Sequence, residues 1–184
     1  MTTVFIAGSM SIKHLHALVL ERLANIVSAS MSVVVGDADG ADTSIQTYLA
    51  DAGHVKTTVF CTGEPRNNVG DWPVSTVQSQ HPKGTRAFFT AKDVAMAETA
   101  DIGLMIWDAK STGTLSNVLE LLARQKKSVV FVNKLKQFVN VTTLDQFESE
   151  LLPFMSEGAL AKAEEKLGLR NRLMKLRHSQ EEMF

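Results

Sequence analysis

Val4-Phe5-Ile6-Ala7-Gly8-Ser9-Met10-Ser11 reads as a short strand of β-branched and aromatic residues that ends at a glycine and turns toward a helix. Just beyond it, Ile12, Leu15, Val19, Leu23, Ile26 and Val27 recur at helical spacing and predict an amphipathic helix. The same arrangement returns further on. The apolar run Ile102-Gly103-Leu104-Met105-Ile106-Trp107 precedes Ser111-Thr112-Gly113-Thr114, and Leu115 to Gln125 reads as helix. A strand-to-helix turn leaves unpaired N–H groups where the helix dipole also favours an anion. Two such turns predict a phosphate-bearing ligand lying across the ends of the strands.

The rest of the chain supplies the frame. Ser32-Val33-Val34-Val35-Gly36 is a strand apolar on both faces, and Asp42 or Thr43 can cap a helix that runs through Ala50 and stops at Gly53. Thr57 to Cys61 is a third strand, Thr85 to Ala100 a helix, and Ser128 to Val132 a fifth strand. Residues 64–83 hold three of the four prolines and read as a long loop. Alternating strands and helices predict an α/β, Rossmann-like three-layer domain. Its five-stranded parallel sheet would have the order 3-2-1-4-5, with helices on both faces. Its ligand site would be the switch point between the first and fourth strands. The expected division is residues 1–140 for this domain and 141–184 for a helical C-terminal extension used in packing or oligomerisation. Within the extension, Thr143 to Met155 is amphipathic and interrupted at Pro153, and Ala159 to Arg177 is a strong helix former.

Composition narrows the function. The chain has 184 residues, 45% hydrophobic and 21% charged, with a net charge of −1. That charge gives no overall pull toward DNA or an anionic membrane and argues against nucleic acid as a partner. The lone Cys61 excludes an internal disulfide, and no apolar stretch approaches a membrane span, so a cytoplasmic protein is expected. His14 and His16 lie two apart and would face away from each other on a helix, so no metal site is expected, nor any cofactor.

Candidate ligand residues follow from these turns. Gly8, Ser9, Met10 and Ser11 on the first, with Gly113 and Thr114 on the second, would hold phosphate. In Gly36-Asp37-Ala38-Asp39-Gly40-Ala41-Asp42, Gly36 gives close backbone approach, while Asp37 and Asp39 read ribose or base, as does Asn117. Arg66 and Arg86 would clamp a phosphate, and Trp72 would stack on a base. The tail residues Lys166, Arg170, Arg172, Lys175 and Arg177 form a basic helix, read first as a solvated face and second as a nucleic-acid surface.

The Gly36-to-Asp42 segment followed by a helix resembles the Gly-Gly-Ala-Arg-Gly-Ala-Asp turn of the SLOG superfamily. That Rossmann-like group includes LOG phosphoribohydrolases, the DNA-processing protein A fold and nucleotide sensors of bacterial defence. The Gly8-Ser9 and Gly113-Thr114 turns suit the same layout. Lys92-Asp93 leading to Ala100-Asp101 also looks like the nucleoside deoxyribosyltransferases. The resemblance covers roughly residues 3–133. It implies nucleotide binding, and in its glycosidic members a glutamate soon after the Gly-Thr turn acts on the ribose. Here Asn117 follows that turn, Glu120 comes a helical turn later, and Asp39 replaces the family's arginine. Asn is neither nucleophile nor base, which points to binding without turnover. Otherwise Glu120 or Asp108 would be catalytic, in a nucleoside 5′-phosphate N-glycosidase or a deoxyribosyltransferase-like enzyme.

Overall fold

A computed structural model describes residues 1–182. Its centre is a seven-stranded sheet in the order β4-β3-β2-β1-β5-β6-β7. The strands are β1 (Thr3–Gly8), β2 (Ser32–Gly36), β3 (Thr57–Thr62), β4 (Val74–Val77), β5 (Ile102–Trp107), β6 (Ser128–Val132) and β7 (Gln137–Val141). All neighbours pair parallel except β6 and β7. The expected five strands in the order 3-2-1-4-5 are therefore corrected to seven in a different order. The two added strands are the two edges, β4 and β7.

Both edges escape a reading by hydrophobic runs for the same reason. β4 follows Pro73 and alternates exposed with half-buried residues, and β7 returns as a hairpin with Gln137 and Asn140 outward. A strand with one free edge needs no continuous apolar run.

Successive residues of β1 feed opposite faces, as the pleat requires. Phe5 and Ala7 join Val34, Phe60, Met96, Trp107 and Leu115 on one side. Val4 and Ile6 join Val33, Ile45, Leu49 and Ile106 on the other. The second cluster lies under α1 (Ala17–Ser28) and α2 (Ala41–Asp51). The first is covered by α3 (Arg86–Thr99) and α4 (Thr112–Ala123). It continues into the C-terminal segment through Leu144, Phe147, Leu151 and Ala163.

That segment begins with α5 (Leu144–Gln146), passes through a π-helical turn (Phe147–Leu151) and a 3₁₀ turn at Pro153, and continues as α6 (Glu157–Leu167) and α7 (Leu169–Glu181). The single helix expected over 159–177 is broken at Gly168, whose φ of 57° is left-handed. Among the described residues, no helix is long and apolar enough to cross a membrane.

The expected start of the first helix at Ile12 is also corrected. Ile12 donates to Ser9 O in a turn, and α1 begins only at Ala17, where His16 caps it by accepting from Leu18 N. Asp42 likewise does not cap α2; Gly40 stands at that position.

Candidate functional site

Because β2 and β3 lie on one side of β1 and β5 and β6 on the other, the chain reverses its winding between β1 and β5. A cleft of about 320 Å³ opens there, at the C-terminal ends of those strands. Its walls come from the β1 and β2 turns, α3 and the start of α4. Gly8, Met10, Arg66, Arg86, Gly113, Thr114 and Asn117 of the expected ligand residues line it. Ser9, Ser11, Gly36, Asp37, Asp39, Asp108 and Glu120 are not on its lining.

The two glycine turns behave differently. At the first, Ser9 is 1% exposed, its N–H donates to Ile106 O, and its hydroxyl accepts from Asp108 N at 3.1 Å. Ser11 donates to Asp108 Oδ2 at 2.7 Å, and Asp108 Oδ1 accepts from Lys110 N and Ser111 N. Burial raises the Asp108 pKa, but the hydrogen bonds from Ser11, Ser111 and Lys110 outweigh it and leave it below its ordinary value. This first turn is an internal fastening between β1 and β5.

The second turn opens directly onto α4. Ser111 caps the helix by accepting from Thr114 N, and Thr114 Oγ1 donates back to Ser111 Oγ. A Cβ at Gly113 would meet nothing closer than 3.9 Å, so space lies in front of this terminus. Arg86, from the first turn of α3, donates to Thr112 Oγ1 at 2.9 Å and stands beside it. One turn into α4, Asn117 is only 5% exposed, faces the cleft and has no hydrogen-bond partner among the described residues. Its amide opens onto the cleft and is free to bond a ligand there.

Across the cleft is a charge cluster that joins Asp37 and Arg66 to Lys92 of α3. Asp37, 2% exposed, accepts from Arg66 Nε at 3.1 Å and from its terminal nitrogen at 2.9 Å, and from Lys92 Nζ at 2.8 Å. Lys92 also lies 3.9 Å from Asp42. Gly36 makes this possible, because a Cβ there would fall 2.6 Å from Lys92 Nζ and 2.4 Å from Asp42 Oδ2. Burial raises the Asp37 pKa, yet Arg66 and Lys92 overcome it and hold the carboxyl far below its usual range. Burial pushes Asp42 up.

Asp93, next along α3, is part-buried, and its carboxyl makes no hydrogen bond among the described residues. Burial, reinforced by Asp42 and Asp37 against Lys92, lifts its pKa to about 7. In sequence, Lys92 and Asp93 stand out only through the resemblance to the nucleoside deoxyribosyltransferases. Only the contact of α3 with the β2 turn draws them inward, although the Lys-Asp pair of the resemblance was a usable signal.

The loop after β3 is ordered by its own side chains. Besides Arg66, Asn67 donates to Asp37 O and to Asp39 Oδ1, and Val69 N donates to Gln46 Oε1. Trp72 is buried, with Nε1 donating to His54 O, so it is a loop anchor and not the expected base platform. The exposed apolar groups at the cleft are Met10 and Phe89, the latter with the Arg66 guanidinium 5.0 Å above its ring. Glu120 lies further along α4, paired with Arg124 at 2.6 Å and with Arg172 of α7 at 2.5 Å.

The switch-point cleft and layered parallel sheet define a Rossmann-like α/β fold. No family model matches the chain, and no curated protein matches its sequence. The fold is similar to that of DNA processing protein A from Helicobacter pylori, a single-stranded-DNA-binding protein. The TM-score is 0.53 at 19% identity, and the match covers 70% of this chain and 64% of that one. This neighbour corrects the expectation that set nucleic acid aside as a partner. Net charge averages over the whole surface and so does not decide what a single cleft can bind.

Proposed function

We propose that the cleft binds a nucleotide or nucleotide-derived small molecule, with phosphate on the N-terminus of α4 and Arg86 beside it. The observation that carries this reading is Asn117, whose amide lines the cleft one helical turn behind that open terminus with no hydrogen-bond partner among the described residues. Free N–H groups, the helix dipole and a guanidinium suit phosphate, and the amide suits a sugar hydroxyl or base edge. Met10 and Phe89 offer apolar contact for a base. The motif resemblance to the SLOG superfamily supports the same assignment.

Turnover is the weaker reading. Asp108 and Glu120, the carboxyls expected to act, are both held by other side chains. Among the described residues, Asp93 is the cleft carboxyl without a hydrogen bond, and its pKa of about 7 suits proton transfer.

A thermal-shift panel of nucleoside mono-, di- and triphosphates, with free nucleosides as controls, tests the proposal. A ligand at 100 times its Kd adds about 2.7 kcal/mol, a shift of several degrees. Phosphate-dependent stabilisation is expected; a flat panel overturns the reading. Single-stranded oligonucleotides in the same panel test the second reading, which the fold neighbour favours: the same phosphate site on a strand of DNA.

A further inference from the structure

The cleft has a second chamber. A cavity of about 290 Å³ between α3, α4 and the C-terminal helices shares Arg86, Thr90, Asp93 and Asn117 with the first. Each chamber alone is at the small end of ligand sites, and the pair together falls well within the usual range. The far wall is Lys166 and Leu167 of α6 and Arg172 of α7. Arg172 donates to Ser116 Oγ at 2.8 Å and to Glu120, which leaves further N–H groups of its guanidinium unused. Glu120 is already shared with Arg124, and Lys166 makes no ion pair among the described residues.

From this we infer that the second chamber is a subsite for a second nucleotide unit, so that the ligand carries two linked nucleotides and the C-terminal helices form part of its binding site. The inference rests on the nucleotide reading of the first chamber. Arg86 stands at the junction, where the linking phosphate would pass, and Lys166 and Arg172 face the outer phosphate. Ala87, Val94 and Leu167 provide apolar wall for the second base. Burial keeps the Arg172 pKa below its ordinary value against the pull of Glu120, with Arg124 and Arg86 adding to the lowering.

Two sources supply this chemistry, a free dinucleotide and the end of a single strand. Calorimetric titration of the full chain with three 5′-phosphorylated probes separates them: mononucleotides, dinucleotides of mixed sequence, and octanucleotides. The dinucleotide is expected to bind at least tenfold more tightly than the mononucleotide. Lys166→Glu, a change at an exposed side chain, should remove that gain and leave mononucleotide affinity unaltered.

A gain that survives Lys166→Glu, or no gain at all while mononucleotide still binds, overturns the second subsite alone. Failure of every probe overturns the first chamber's reading as well. If the gain holds, an octanucleotide as tight as the dinucleotide assigns the source to a strand end, and its exclusion assigns it to a free dinucleotide.

Discussion

The turn after β1 and the turn after β5 look alike in sequence, each a small-residue turn bearing glycine after an apolar strand, and they do opposite work. After β1 the chain runs from Ser9 to His16 before α1 starts, and the hydroxyls it carries are spent on Asp108. After β5 the helix starts at Thr112, one residue beyond its cap, with open space before Gly113. What separates the proposed anion site from a fastening is therefore where the helix begins. A glycine and a serine after a strand do not decide it.

The sharpest way to break this contrast is to place a charge at each turn. Gly113→Glu puts a carboxylate where the phosphate is proposed, in space that accommodates it, and should weaken nucleotide binding at least 100-fold without lowering Tm. Ser11→Glu at the other turn should change affinity less than threefold. Equal losses in the two variants, measured by titration, would erase the distinction.

Asp93 comes next in size. Its folded pKa, about 7, lies above the unfolded value of 3.8. Its contribution to stability is therefore whole below about pH 4 and is lost as pH climbs toward 7. Asp93→Asn should leave stability nearly unchanged at pH 4 and raise it by a few kcal/mol at pH 8, read by urea unfolding at both pH values. The same charge opposes a phosphate, so wild-type affinity should fall as pH rises through 7 and that of the variant should not.

Arg86→Ala removes one charge-assisted partner beside α4 and should cost roughly tenfold in affinity, about 1.4 kcal/mol. Ser9→Ala is the smallest change. It leaves Asp108 N without its acceptor and should lower stability by about 1 kcal/mol while affinity stays within twofold.

The central strands were legible because they are buried on both faces and so read as continuous apolar runs, Ser32–Gly36 being the clearest. The edges were not, because Val74–Val77 and Gln137–Val141 bury at most one face. The site divides in the same way. Gly113, Asn117 and Arg86 sit on a turn or beside one, where local spacing speaks for them. Phe89, Lys92 and Asp93 reach the cleft only because α3 packs across β2 and β3, a long-range contact that no local pattern encodes. The helix break at Gly168 was readable in principle, since glycine ends helices in the left-handed conformation.

The missing side chain at Gly36 has a consequence for recognising this protein's kin. The Asp42 carboxylate and the Lys92 ammonium occupy the volume that a larger residue at 36 would need, so positions 36 and 92 are expected to vary together although they are far apart in the chain. Drift at either should be tolerated only when its counterpart moves too. A pattern pairing glycine-aspartate after a second strand with lysine-aspartate midway along the third long helix would then trace descent more faithfully than the glycine turns, which unrelated proteins reach on their own.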